Sequence, residues 1–512
     1  MNLKKFTEIN NLKLLLLIII SLIPLISLDY LITDLPGPNP STVIYYILIP
    51  LILLIAYFKL SKNFKKSLII LVMILGSLAI YFAIRVIVSK AHIPVINLSN
   101  RSYYDLKLEL FYFIKVLLPV FTLYILLRLK VKLNDLKLVT IISSLTTALP
   151  IVVSNLIVFS YATYGQTLKN NIFHWYNFSL DKDPREYTSK FFFKEGNTLG
   201  ILLFVLLVLQ YLFLYKAKKK KEKIFFALLV FITIFAMVML GTRVSTYSTL
   251  LISLFSLASY FIINIIKRHK LQLLTISFTI LMCIQSFCLI QISPAKAANK
   301  INNIDNAISF RNEDYRKRNT DVLRAGNAIT NFDDRHFYFR HIFEDNEFLI
   351  YYLPRVYYRV FYDYRFDPEF WVNVIFDYDF HQRVNGRQLE AIFMNYKLKN
   401  IGYSAKLFGS GYSPFETGSI ILERDFVQQT LTYGYIGSFI MFTPWLVSLI
   451  YIMIKFLFKF KTNFRYEIIH LLLINTCVLV LAYLSGHTMD EFITSLMLSL
   501  SFACLIGEIK NG

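Results

Sequence analysis

The chain alternates between long apolar runs and short polar breaks. A membrane span needs about 20 predominantly apolar residues. Twelve stretches meet that measure: 12–29, 42–58, 67–88, 109–127, 137–160, 197–215, 224–241, 245–266, 271–292, 429–454, 467–485 and 489–508. In hydrocarbon the backbone polar groups must be satisfied within the segment, so each stretch is expected to be a helix. The breaks differ in charge. Lys59, Lys62, Lys65 and Lys66 follow the second stretch; Arg128, Lys130, Lys132 and Lys137 follow the fourth; Lys216 to Lys223 hold six lysines after the sixth. Lys267, Arg268 and Lys270 follow the eighth, and Lys455, Lys459, Lys461 and Arg465 the tenth. Cytoplasmic loops carry the excess of Lys and Arg. Every even connection, and with them both termini, is therefore expected on the cytoplasmic side. Lys4, Lys5 and Lys13 precede an apolar run with no small-residue cleavage site, so that run reads as a retained first span.

The odd connections then face outward. Most are short, 161–196 is intermediate, and 293–428 is by far the longest. This divides the chain into spans 1–292, a loop domain 293–428, and closing spans 429–512. Residues 293–430 hold 18 basic and 18 acidic residues and are dense in aromatics, as in YYLPRVYYRVFYDYRFDPEFW (351–371). A disordered linker is poor in aromatics, so the loop is expected to fold over the outer membrane face. A passive cap is the competing reading.

Composition agrees. The chain is 56% hydrophobic and 17% charged, with mean hydropathy +0.53; ordinary soluble domains are about 45–50% apolar and about 25% charged. The net charge of +21 lies in short runs between apolar segments, which points away from a nucleic-acid partner. Cys283, Cys288, Cys477 and Cys504 lie in apolar segments and suggest neither disulfides nor a metal site. No P-loop, zinc motif, serine-hydrolase elbow or inverted repeat is visible.

Candidate chemistry gathers around 386–437, where a polar loop meets an apolar segment. Arg243, in Gly241-Thr242-Arg243, is either a span-end arginine that snorkels or a phosphate clamp with a planar fork. Arg387 follows Gly386 and is one of twelve loop arginines, not distinguished by spacing. Glu423 and Asp425 stand at the membrane junction. If that segment is helical they do not share a face: Glu423 would join Phe426, Val427 and Thr430, and Asp425 would join Gln428, Gln429 and Thr432. Either acid could serve as a base beside apolar surface or interact with the helix dipole. His487 lies in the turn between the last two spans; His174, His336, His341 and His381 also fall outside, without metal-like pairing.

In chain order, five segments resemble the O-antigen ligase and Wzy-type polymerase superfamily of membrane glycosyltransferases. They are Glu195-Gly196-Asn197-Thr198-Leu199-Gly200, Gly241-Thr242-Arg243, Gly386-Arg387 followed by Phe408-Gly409-Ser410-Gly411-Tyr412, Glu423 to Gly437, and Gly486-His487. The resemblance covers about 190–510. It implies an all-α polytopic membrane protein, about twelve transmembrane helices with one large, mostly helical extracytoplasmic loop, GT-C-like in plan. It implies a bacterial cytoplasmic membrane and lipid-linked substrates: undecaprenyl-diphosphate oligosaccharides. A flippase and a chain-length regulator of the same pathway are implied partners, and no metal or nucleotide-sugar cofactor. The implied catalytic residues are Arg243, Arg387 and Glu423, with Asn197, Tyr412, Asp425 and His487 binding substrate. Family ligases carry a histidine about eleven residues before the closing glycine pair, where this chain has Glu423. That departure resembles a polymerase of polysaccharide repeat units more than a ligase. A ligase, and a flippase of lipid-linked glycans, remain the alternatives.

Overall fold

The computed structural model describes residues 3–31, 39–96, 102–164, 168, 187–293, 324–344, 357–378, 382–383, 385–418, 420, 422–484 and 486–511. Much of 293–428 therefore lies outside the described residues, including His381 and the stretch 351–356 among the sequence features above, as does His174 in the 161–196 connection.

Among the described residues twelve helices are long and apolar enough to cross a membrane, one for each apolar stretch of the sequence. They are α1 (Leu3–Ile26), α2 (Pro40–Leu60), α3 (Phe64–Ile96), α4 (Leu106–Arg128), α5 (Leu133–Leu156), α6 (Gly196–Lys216), α7 (Lys220–Leu240), α8 (Arg243–Lys267) and α9 (Leu273–Ile292). After the loop helices α10 (Phe332–Glu344), α11 (Pro368–Asp377), α12 (Gly386–Asn400), α13 (Tyr403–Phe408) and α14 (Ser413–Thr417) come α15 (Asp425–Phe458), α16 (Tyr466–Leu484) and α17 (Phe492–Asn511). The fold is all-α and polytopic. Several ends differ from the sequence expectation by a turn or more, and two of them have a visible backbone cause. The fifth helix stops at Leu156, before a left-handed Val158, and the last begins at Phe492, because Gly486 and His487 both take positive φ.

The chain forms two compact units. The first comprises Met1–Leu68, Ile114–Asn299 and Thr443–Gly512. At its centre stands α6, apolar on every side and buried along its span. It packs against α5, α7, α8, α16 and α17. Polar side chains stitch the interior: Gln210 Nε2 donates to Ser144 at 2.7 Å and Thr233 at 2.8 Å, and Tyr211 donates to Ser253 at 2.7 Å. Lipid tails are as apolar as leucine, so helices in a membrane associate through packing and such interhelical bonds.

The second unit comprises Ile69–Phe113 and Lys300–Phe442. Its described loop residues fold around a core of their own: Trp371, Phe370, Tyr358, Tyr362, Phe339 and Phe393 are buried together. Asp367 caps α11 by accepting from Phe370 N at 3.1 Å. Trp371 Nε1 donates to Tyr362 O at 2.8 Å. Lys397, held below the ordinary lysine range by burial against the opposing pull of Asp367, pairs with that carboxylate at 2.9 Å. A buried pair of this kind is satisfied only in one arrangement of its elements, which is the opposite of a loose cap.

Candidate active site

Two arginines singled out from the sequence occupy the same local position. Gly241 (φ 69) ends α7 in the left-handed conformation. Thr242 caps α8 through its hydroxyl, accepting from Ser245 N at 3.2 Å, so Arg243 becomes the first helical residue and is exposed. In the loop, Asn385 caps α12 by accepting from Arg387 N at 3.2 Å and Gln388 N at 3.3 Å, which places Arg387 second in its helix. The positive end of the helix dipole disfavours a cation there and favours an anion. Neither arginine is placed where it serves its own helix, and both stand where backbone N–H groups already attract anions.

In the first unit, Gly196 and Gly200 let α6 approach this turn closely. A Cβ at Gly200 would lie 2.9 Å from Thr242 Oγ1, and one at Gly196 would lie 2.3 Å from Thr163 Cγ2. Asn197 lies between them, half-buried. In the 486–491 turn, His487 Nδ1 lies 3.4 Å from Asp490 Oδ2, and Lys115 pairs with Glu491 at 2.7 Å. Burial raises the Glu491 carboxyl; Lys115 opposes this, while Glu195 and Asp490 add to it. The lead-in of α6, the 241–243 turn and the 486–491 turn are thus parts of one neighbourhood.

In the second unit, Arg387 Nε donates to Glu423 Oε2 at 3.0 Å. The side chains are 38% and 44% exposed. An ion pair this open contributes little stability, about 0–1 kcal/mol. Glu423 lies outside the helix, which begins at Asp425, so the helical face expected for it does not exist. Asp425 is fully buried, as are Gln429 and Thr432, with Gln428 nearly so. The structure brings Arg387 to Glu423 and sends Asp425 elsewhere.

Tyr412 belongs to a third feature. At Gly434 (φ 67, ψ −175) α15 breaks. The carbonyls just before the break are taken up from outside the helix. Leu431 O accepts from Ser410 N and Oγ, each at 2.9 Å. Thr432 O accepts from Gly411 N at 3.1 Å and Arg85 Nε at 3.1 Å, and Tyr433 O accepts from Tyr81 at 2.6 Å. Backbone meets backbone here: a Cβ at Gly409 (φ 90) would lie 2.2 Å from Thr432 O. Buried Arg85 pairs with buried Glu109, whose other oxygen accepts from Tyr412 N and Ser413 N, both at 2.7 Å, and from Ser413 Oγ at 2.9 Å. The Tyr412 ring lies flat on Tyr112, centroids 3.7 Å apart. The glycine turn and the glycine pair of the sequence are two sides of one polar knot.

Three acids escaped the sequence reading. Glu109 was hidden because its partners lie 303 and 304 residues away. Asp490 offered a signal, its i+3 spacing from His487. Glu390 offered a similar one, its i+3 spacing from Arg387; it is 2% exposed, accepts from Arg424 N at 3.1 Å, and is pushed up to about 7 by burial, with Glu423 adding to the rise and the 423 and 424 amides and Arg424 opposing it. Among the described residues no group of three or more His, Cys, Asp or Glu could hold a metal ion.

A family model, that of O-antigen ligase like membrane proteins, matches residues 9–512. No curated protein and no solved structure matches the chain.

Proposed function

The chain belongs to the O-antigen ligase-like membrane protein family, whose work is membrane glycan transfer in polysaccharide synthesis, and from that premise we propose that it is a polymerase of surface polysaccharide. The donor is a glycan on undecaprenyl diphosphate. The acceptor is a sugar hydroxyl of a second lipid-linked repeat unit, at the outer face of the bacterial cytoplasmic membrane. The observation that carries the reading is the Arg387–Glu423 pair, which is too exposed to be kept for stability; its Glu423 stands eleven residues before Gly434, where the family resemblance puts the ligase's histidine.

In this mechanism Glu423 accepts the proton of the acceptor hydroxyl, and Arg387 orients the carboxylate. The hydroxyl oxygen bonds to the anomeric carbon as the bond from that carbon to the diphosphate oxygen breaks, and undecaprenyl diphosphate leaves with the electron pair. Within the first unit, Arg243 with its planar fork and the first amides of α8 make an anion-attracting group suited to a lipid diphosphate. Preorganised stabilisation of this kind is usually the largest contribution to catalysis.

Purified protein in nanodiscs, given lipid-linked repeat units extracted from the producing strain, tests the reading. The expected products are lipid-linked chains of two, three and more repeats. Transfer only to an added lipid-core or peptide acceptor, with no chain growth, would replace the polymerase by a ligase. Movement of intact lipid-linked units across the bilayer without any new glycosidic bond would replace it by a flippase.

A further inference from the structure

Glu390 takes no part in the chemistry above, yet its place is unusual. It lies one helical turn after Arg387 on α12, where residues three apart share a face. That one turn grips two consecutive residues of the segment leading into α15. Arg387 Nε holds the side chain of Glu423 at 3.0 Å, and Glu390 Oε1 accepts from the backbone of Arg424 at 3.1 Å. The Glu423 amide also donates to the same carboxyl. Glu390 is 2% exposed and is flanked on its helix by core residues Leu389, Ile392 and Phe393. A carboxyl carried into such surroundings is costly unless hydrogen-bonded. An amide side chain, or an apolar one with a shorter approach, would build the same helix.

We propose that Glu390 is a positioning residue for the transfer, a carboxylate clamp that fixes the backbone of 423–424 so that the Glu423 side chain stays in register with Arg387. The proposal rests on the reading that Glu423 receives the acceptor's proton. An ionised carboxylate can accept from both amides at once. Once protonated, one of its oxygens becomes a hydroxyl donor with no acceptor supplied by those amides, and the grip loosens. The charged groups acting on it are Glu423, which favours the proton, and Arg424, which opposes it. On its own helix Arg387 is committed to Glu423, and Lys397 to Asp367. Since Glu390 is pushed up to about 7, the clamp is closed above that pH and opens as pH falls through it.

Glu390→Gln imitates the protonated form, with one acceptor and two donors, at every pH. Two readouts are taken on full-length protein in nanodiscs. The first is amide hydrogen exchange in peptides spanning 422–428 at pH 8. Faster exchange at 423–424 in Glu390→Gln than in wild type is expected; identical exchange would overturn the clamp. The second is turnover of extracted lipid-linked repeat units from pH 5.5 to 8.5. Wild type is expected to lose on the order of tenfold between pH 8 and pH 6, following the ionised fraction. Glu390→Gln is expected to run at about that lower level throughout, with KM within about twofold of wild type. A Gln variant with wild-type turnover at pH 8, or with the same acid limb, would overturn the proposal, as would a change confined to melting temperature. Arg340→Gln, which removes an exposed loop pair, serves as the unaffected control. Glu423→Gln is run beside them: its full activity would overturn the base reading alone, since the exchange result stands without it.

Discussion

Replacing Glu109 with alanine should be among the most damaging single changes in the second unit. The substitution leaves the Arg85 guanidinium at 0% exposure without its carboxylate. Breaking a buried pair from one side costs about 3–5 kcal/mol. It also strips the acceptor from Tyr412 N and Ser413 N, each worth about 1–3 kcal/mol when left unmade in a buried place. Polar contacts within membranes average nearer 0.6 kcal/mol, so the low ends apply, and about 5 kcal/mol is expected. That is a large part of the roughly 5–15 kcal/mol that holds a native protein. Arg85→Met/Glu109→Met removes the stranded charge and should recover about half of the loss, though not the two amides. Denaturant unfolding in mixed micelles, followed by fluorescence of buried Trp371, measures both. A single variant within about 1 kcal/mol of wild type, or a double variant no more stable than Glu109→Ala, would refute the reasoning.

Gln429→Leu should stabilise the protein by about 1–3 kcal/mol, because both amide atoms of Gln429 are buried without a hydrogen-bond partner among the described residues; a lower melting temperature would contradict this. Arg243→Ala should lose roughly 10²–10³ in turnover with normal membrane insertion, and Arg243→Lys should recover only part, since it keeps the charge and loses the fork; wild-type polymer yield from the alanine variant would make Arg243 a snorkelling residue. In a cysteine-free background, Lys220→Cys and Lys459→Cys should be labelled only from the cytoplasm and Thr330→Cys only from outside, and the reverse pattern would invert the topology.

The spans were legible because each is a long, uninterrupted apolar run, and that signal is local. The glycine motifs were legible as motifs but not as geometry. Gly409 and Gly434 lie 25 positions apart in sequence, and nothing in their spacing says that their backbones touch. Arg85 is a charge inside an apolar stretch, and Glu109 is an acid in a first helical turn. Only the folded chain joins them. The 423–425 segment was illegible in a different way. A helical face assigned to Glu423 presumed that the helix had begun, and it begins two residues later. Ahead of the helix the side chain of Glu423 reaches Arg387, while Asp425, at the helix start, is buried.

Glu423 and Asp425 thus offer the most direct measurement. Glu423→Gln keeps the shape and the hydrogen-bonding reach of the side chain but cannot take up a proton. On purified lipid-linked repeat units, at matched protein levels, it should slow chain growth by about 10²–10⁴ while substrate binding stays largely intact. Asp425→Asn should have the milder effect on chain growth. Long chains from Glu423→Gln together with none from Asp425→Asn would contradict the account and make the buried acid the base.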